Sequence, residues 1–234
     1  MRRTIAFAFL SLVACSGSGP NDNLSTASAK AQKVYDVSGF TGVVSRGSTD
    51  VSITTGGPFA VRASGPRSGI NLLDIRREGS DLSIGMKDAT WRSDRNVHVY
   101  VTMPKIERAS TRSSGDLDIA RVDGDFSGDV QGSGDIALSS VRADQLSLSI
   151  AGWGDITASG EAETLNASVN GSGDIDARQL RTHQATVSIA GSGDVDAAVQ
   201  GNATVSIMGS GDANMGPDAR CTVNSRGSGS VNCG

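Results

Sequence analysis

Aromatic residues are scarce in this chain: they make up 4% of its 234 residues, and only five prolines and two histidines accompany them. Few large side chains and abundant glycine predict a thin aliphatic core rather than a thick globular interior. His98 and His183 are isolated. Because no Cys or second His stands at ligand spacing from either, the sequence predicts no zinc site.

Lysine is absent from the second half of the chain, and the last lysine is Lys105. Residues 106–234 carry 8 basic side chains, all arginine, against 17 acidic ones, whereas residues 15–105 carry 11 against 8. An acidic segment without lysine is a poor candidate for binding nucleic acid or anionic lipid. The net negative charge of residues 106–234 is compatible with binding of a cation or of a partner with a cationic surface.

Long hydrophobic runs are also missing, since the longest one, residues 5–13, is too short to cross a bilayer. Arg2 and Arg3 precede this run, and the sequence Leu-Val-Ala-Cys ends it at Cys15, which is similar to the lipobox of bacterial lipoproteins. We therefore expect a signal peptide at 1–14, a lipid on Cys15 and a flexible tether at 15–38. Ser16 after the cysteine favours the outer membrane of a Gram-negative cell. An ordinary secretion signal with a chance cysteine is the alternative.

A Gly-x-Gly-Asp tetrapeptide recurs along the second half of the chain in steps of 18–20 residues. Self-similarity at one period is typical of a solenoid, in which each repeat forms one turn. The fourth positions of the successive copies are Asp116, Asp135, Asp155, Asp174, Asp194, Asp212 and Ser230.

Apolar residues keep a fixed register with these aspartates. In the third copy, Leu148 and Ile150 lie seven and five residues before Asp155, and Ile156 and Ala158 lie one and three after it. This period of two predicts strands, and no helical stripe of apolar residues develops. A meander of β-hairpins would not require the same turn at a constant spacing with every apolar position in the same register. The sequence therefore predicts a parallel β-helix with about 19 residues per coil.

The glycines and aspartates of the repeat have a predicted structural role. We expect the bend to require a positive φ, which glycine adopts without strain, and the aspartate to accept hydrogen bonds from turn N–H groups. Stacked carboxylates repel one another, so backbone donors or a cation must offset the cost. The turn is also similar to a Ca²⁺-binding glycine-aspartate repeat, but one carboxylate per turn supplies too few ligands. We expect no cofactor, with weak Ca²⁺ binding to the aspartates as the alternative.

Cys221 and Cys233 stand nine residues before and three after Ser230, at positions that face inward in the other coils. In an exported protein this placement predicts a disulfide that closes the last coil. Two buried thiols are the alternative.

The first half of the chain carries looser versions of the same pattern, including Gly79-Ser80-Asp81-Leu82 and the alternating Val97, Val99 and Val101. The order of these elements, followed by serial Gly-Ser-Gly-Asp turns, resembles the bacterial putative auto-transporter adhesin head GIN domain over residues 36–234. The resemblance implies a right-handed parallel β-helix at 39–234, exported and often lipid-anchored, with no established activity. We expect regular coils over about 106–234 and wider, irregular coils at the N-terminal end.

No catalytic constellation stands out in the sequence. Asp118, Asp176 and Asp196 each follow a repeat aspartate by two residues, but a solvated acidic face explains them equally well. Scattered arginines, chiefly Arg142, Arg178 and Arg181, do not define a groove. Trp153 replaces the serine of one turn, where it stacks on a sugar or fills a gap.

We therefore expect a non-catalytic envelope lipoprotein that binds a glycan or an envelope protein. The alternatives are a β-helical polysaccharide-active enzyme and a cation-stabilised structural protein.

Overall fold

A computed structural model describes residues 30–87 and 97–234. The short helix α1 spans Arg67–Leu72. Seven strands occupy the N-terminal part: β1 Lys30–Tyr35, β2 Gly42–Ser45, β3 Asp50–Thr55, β4 Ala60–Pro66, β5 Leu73–Glu78, β6 Asp81–Met86 and β7 His98–Met103. The strands that follow are β8 Arg108–Thr111, β9 Leu117–Ile119, β10 Val122–Asp123, β11 Phe126–Val130, β12 Ile136–Gly152, β13 Ile156–Gly171, β14 Ile175–Gly191, β15 Val195–Gly209, β16 Ala213–Asn214, β17 Arg220–Gly227 and β18 Val231–Asn232.

The chain forms a β-solenoid of about 7 turns with roughly 19 residues per turn, which confirms the predicted parallel β-helix. All pairings among β8–β18 are parallel. Equivalent residues stack in columns: Ile136 lies beside Ile156, which lies beside Ile175, and Val195 follows. These four side chains are at most 1% exposed, so the column forms part of the aliphatic core.

Each regular coil has three sides. Over residues 136–151 of β12, inward-facing residues alternate with outward ones, except at two places where two outward residues follow each other, 139–140 and 144–145. A pair of consecutive outward residues marks a corner, because alternation continues only along a straight strand. We call 136–138 of this coil and its equivalents the first side, 141–143 the second side and 145–151 the third side.

The N-terminal coils do not stack in the order of the sequence. β2 pairs with both β6 and β8, and β3 pairs with both β7 and β9, all in parallel. The coil formed by β2 and β3 therefore lies between the later coils β6–β7 and β8–β9. The coils at this end are irregular, as expected, since the chain reaches the outermost one only after an excursion through β4, α1 and β5.

Antiparallel strands cover the N-terminal end of the solenoid. β4 pairs with β7, β1 pairs with β4, and β5 pairs with β6, all antiparallel. α1 connects β4 to β5 and buries Ile70 against the core. We call β1, β4, α1, β5 and β6 with Lys87 the cap; it occupies sheet edges that would otherwise be open to other chains.

The predicted tether at 15–38 is too long, because Lys30–Tyr35 is strand β1. Its hydrogen bonds to the edge of β4 order this stretch, and the Tyr35 hydroxyl donates to the carbonyl of Ile70 at 3.4 Å. The predicted signal peptide and Cys15 lie outside the described residues.

The C-terminal end has no comparable cover. β17 pairs with β15 and β18 with β16, and no described strand lies beyond them. Val223 of β17 is 48% exposed, and Val231 is only partly buried. Cys221 and Cys233 are joined by a disulfide with their Cα atoms 6.2 Å apart, which closes this last coil.

The glycines of the repeat allow the turns of successive coils to lie in direct contact. The N–H of Ser172 donates to the carbonyl of Gly152 in the preceding coil at 3.0 Å. A Cβ atom on Gly171 or Gly173 would overlap the carbonyl oxygen of the glycine beneath it. Gly171 also has a φ of +148°, as predicted for the bend, whereas Gly173 needs to be glycine because of this contact alone.

We expect Gly173→Ala to destabilise the protein because its methyl group would overlap the carbonyl of Gly154. Overpacking of this kind costs about 2 kcal/mol, which lowers the melting temperature by roughly 4–8 °C in a chain of this size. Gly47→Ala is the matched control, since the nearest atom to a Cβ there is Met86 Cγ at 3.7 Å. Equal melting temperatures for the two variants would contradict the role of close stacking.

Candidate functional site

The repeat aspartates form a single column in which each carboxylate accepts a hydrogen bond from the next coil. Asp135 Oδ1 accepts from the backbone N–H of Asp155 at 2.8 Å, and Asp155 Oδ1 accepts from that of Asp174 at 2.8 Å. The other members are joined in the same way: Asp116 to Asp135, Asp174 to Asp194, Asp194 to Asp212, and Asp212 to Ser230. Hydrogen bonds from backbone N–H groups thus offset the repulsion between the carboxylates, as expected. Each N–H group belongs to the next coil, however, and not to the turn of the aspartate itself.

Asp50 extends this column into the N-terminal part. Its Oδ1 atom accepts from the N–H of Asp116 at 3.3 Å, although the two residues are 66 positions apart. At the other end, Ser230 donates both its N–H and its hydroxyl to Asp212, at 2.7 and 2.9 Å. The backbone hydrogen bond, followed by the hydroxyl one, lowers the pKa of Asp212 below its usual range.

The outward aspartates of the first side do not converge into a carboxylate cluster. Between Asp118 and Asp176 in their column stand Ala137 and Thr157, and only Asp176 and Asp196 are neighbours. Arg178 forms ion pairs with both of them, and its hydrogen bond lowers the pKa of Asp176. These side chains and three column aspartates border a depression of about 280 Å³.

A column of alternating charge follows the second side. Asp123 lies beside Arg142, Arg142 beside Glu161, and Glu161 beside Arg181. Arg181 donates to Glu161, and this hydrogen bond lowers the pKa of Glu161. Two of the three arginines that are scattered in the sequence, Arg142 and Arg181, are thus partly neutralised within one column.

The histidines lie in different places. His183 borders a groove of about 330 Å³ beside this charged column, together with Asp144 and Glu163. His98 lies on β7, where its Nε2 is 2.7 Å from the Ser52 hydroxyl. Within the described ranges, no group of three or more His, Cys, Asp or Glu is arranged to hold a metal ion. No helix in the same ranges is long and apolar enough to cross a membrane.

The third side differs from the other two because it carries no charge over four consecutive coils. The segments 145–151, 164–170, 184–190 and 202–208 contain no Asp, Glu, Lys, Arg or His. Two central outward columns consist of small polar side chains: Ser147, Asn166, Thr186 and Thr204 in one, and Ser149, Ser168, Ser188 and Ser206 in the other. We call the outward surface of these four segments the uncharged face.

The uncharged face has definite borders. Asp129 of the preceding coil lies beside Ser149, and Arg220 and Arg226 lie in the following coil. From strand spacing and residue rise, the face measures roughly 15–20 Å by about 20 Å. Such small side chains leave a shallow depression of about 250 Å³ along the two central columns.

Trp153 is the most exposed large apolar side chain in the described ranges, at 76%, and it lies two residues beyond Ala151 at the edge of the uncharged face. Its backbone keeps the regular turn, since its N–H donates to the carbonyl of Gly132 at 2.8 Å. At this exposure the indole does not fill a gap at the bend, and contact with a ligand stays a prediction. Met208, in the outer column of the same face, is 62% exposed.

Sequence comparison matches residues 39–219 to the family described as "Putative auto-transporter adhesin, head GIN domain". No curated protein matches the chain.

Among solved structures, a putative adhesin from Bacteroides fragilis superimposes with a TM-score of 0.79 at 19% identity, covering 87% of this chain and 96% of that one. A putative adhesin from Parabacteroides merdae gives a TM-score of 0.69 at 16% identity, covering 88% and 96%. A putative lipid-binding protein from Parabacteroides distasonis gives 0.65 at 19% identity, also covering 88% and 96%. At these identities the likeness shows the fold.

We expect the protein to lose stability in acid. Asp212, Asp176 and Glu161 all have lowered pKa values in the folded protein. Their contribution to folding stability is therefore complete above the usual carboxyl pKa of about 4, and it is lost as the pH falls through their lower folded pKa values. The melting temperature should be nearly constant from about pH 7 to 5 and should fall below about pH 4.

Asp212→Asn is the control for this measurement, because its amide oxygen still accepts a hydrogen bond but does not titrate. The variant should show a weaker dependence on acid pH. A melting temperature that rises below pH 4 would mean that repulsion between the column carboxylates outweighs their hydrogen bonds.

Proposed function

Since this chain belongs to the family of putative auto-transporter adhesin head GIN domains, we propose that it is a non-catalytic binding module that holds a neutral glycan on its uncharged face. The family's adhesin-like character indicates a protein of the cell envelope or surface. The observation that carries the proposal is the absence of charge from one side of a solenoid whose other two sides are rich in ionised groups.

The chemistry of the uncharged face suits a neutral sugar polymer. Hydroxyl and amide side chains both donate and accept hydrogen bonds, as sugar hydroxyls do. A charged ligand would lose hydration there without gaining an opposite charge, which is costly. The flat, repeating columns offer the same contacts in each coil, so a polymer with repeating units can bind along several coils at once.

Trp153 supplies the apolar contact in this proposal. An indole ring presents a large, rigid surface to the C–H face of a sugar ring while its N–H remains free to donate a hydrogen bond. Tryptophan is enriched among the few residues that carry most of the binding energy at an interface.

The enzyme alternative has less support. The neighbouring carboxylates Asp176 and Asp196 are paired with Arg178, so neither is a free acid or base, and Glu161 is held by Arg181. The cation-stabilised alternative also has less support because the column carboxylates bind backbone N–H groups. We therefore propose a function that requires no cofactor.

We further propose that a lipid on Cys15 anchors the module to the outer membrane, on its periplasmic or outer surface. The apolar run and the residues before Cys15 in the sequence support this anchor. Only 14 residues separate Cys15 from β1, which would keep the solenoid near the bilayer.

The glycan proposal predicts that protein beginning at Ser16 binds neutral polysaccharides on an array and that Trp153→Ser weakens this binding at least about tenfold. Serine occupies the same position in other turns, so the variant should fold normally. Unchanged binding, or binding to anionic glycans alone, would refute the proposal.

A pair of isosteric charge changes tests the uncharged face itself. Asn170→Asp places a carboxylate on this face, whereas Gln179→Glu adds the same charge at an exposed corner of the next coil. The first variant should lose affinity and the second should retain it.

The anchor proposal predicts that Cys15→Ser moves the protein out of the membrane fraction and abolishes its labelling with radioactive fatty acid. Cys221→Ser should leave both properties unchanged, since that cysteine closes the last coil. Membrane retention of the Cys15→Ser variant through a lipid elsewhere would contradict the assignment.

A further inference from the structure

The two parts of the chain carry opposite net charge, and the positive part is concentrated in the cap. Residues 30–37 and 60–87, which include the cap, contain seven basic and four acidic side chains. Residues 106–234 contain 8 basic and 17 acidic ones. One end of the solenoid therefore has a net charge of +3, while its body has −9.

Most of the acidic side chains of the cap are already paired. Asp74 and Glu78 both bind Arg76, and Asp81 binds Arg108 with 2.6 Å between Oδ1 and Nε. By contrast, no carboxylate lies within ion-pair distance of Lys33, Arg67 or Arg77 in the ranges that the structure describes. The field of the cap is thus dominated by cations without a carboxylate partner.

These cations lie at the end of the solenoid rather than on its flank. Lys33 is in register with the buried Ala63, and Arg77 with the buried Leu82, so both are on the inward side of the outermost strands. Both are nevertheless exposed, because the core ends at these strands. Arg67 is the first residue of α1 and is also exposed.

We propose that this basic end, defined by Lys33, Arg67 and Arg77, lies against an anionic phospholipid surface. The inference rests on the proposed anchor: 14 residues separate Cys15 from β1, and they span about 50 Å at most when fully extended. The chain from the anchor enters the solenoid at β1, so the cap is the part of the protein directly joined to this segment.

Charge complementarity then sets the orientation of the molecule. Each cation close to an anionic bilayer strengthens binding by roughly fivefold, and the attraction acts only within a Debye length of about 8 Å. The acidic body is repelled by the same surface. Together these forces hold the solenoid upright, with the uncharged face accessible to glycans away from the bilayer.

The test uses protein beginning at Ser16, which lacks the lipid but retains every described residue. Its sedimentation with vesicles of 70% phosphatidylcholine and 30% phosphatidylglycerol should exceed that with pure phosphatidylcholine by at least about fivefold in 50 mM NaCl, and 500 mM NaCl should abolish the difference. The double variant Lys33→Glu/Arg67→Glu should lose about tenfold or more of this binding.

Arg220→Glu/Arg226→Glu is the matched control, since it changes the net charge equally at the opposite end of the solenoid. It should bind like the unmodified protein, and circular dichroism melting curves will show that both variants are folded. Equal loss in both variants, or no preference for anionic vesicles, would overturn the proposal. Because these assays contain neither lipid anchor nor glycan, their failure would leave the results for Cys15 and Trp153 unaffected.

Discussion

The close contact of turn backbones between successive coils is the constraint on which this solenoid depends. Gly171 lies directly on Gly152, and Gly173 lies on Gly154, so a side chain at either position would overlap the backbone of the preceding coil. The turn N–H groups donate hydrogen bonds to the carbonyls of that coil. The aspartate that follows extends a carboxylate to the next backbone N–H, so each coil fixes the position of its successor. The core columns and the outward columns keep their register because these turns are in register.

The regular coils could be predicted from the sequence because their determinants are local and periodic. The inward positions of Leu148, Ile150 and Ile156 follow from alternation counted from one aspartate, and all three are buried. The N-terminal arrangement could not be predicted in the same way. Lys30–Tyr35 has little apolar alternation and becomes a strand only by pairing with β4, and the place of β2 between β6 and β8 depends on contacts distant in sequence.

The candidate site was predictable only in part. Trp153 is recognisable in the sequence because it replaces a serine of the repeat. The uncharged face is defined by the absence of charged residues over four coils, and a single residue such as Ser168 does not indicate it. Aligning the repeats and comparing charge column by column would have found it. Asp50 was missed as a member of the aspartate column because its partner, Asp116, is 66 residues away.

The insertion of the β2–β3 coil between two later coils has a consequence for the order in which the chain folds. A chain that is synthesised from its N-terminus presents β2 and β3 before either neighbouring coil exists. One edge of this coil waits for β6 and β7, which end at Met103, and the other waits for β8 and β9, which end at Ile119. Formation of this coil is therefore non-local and slow, since long loops must close before the pairing of β2 and β3 compensates the lost entropy. Once it has formed, coils from β11 onward add one at a time in the order of emergence.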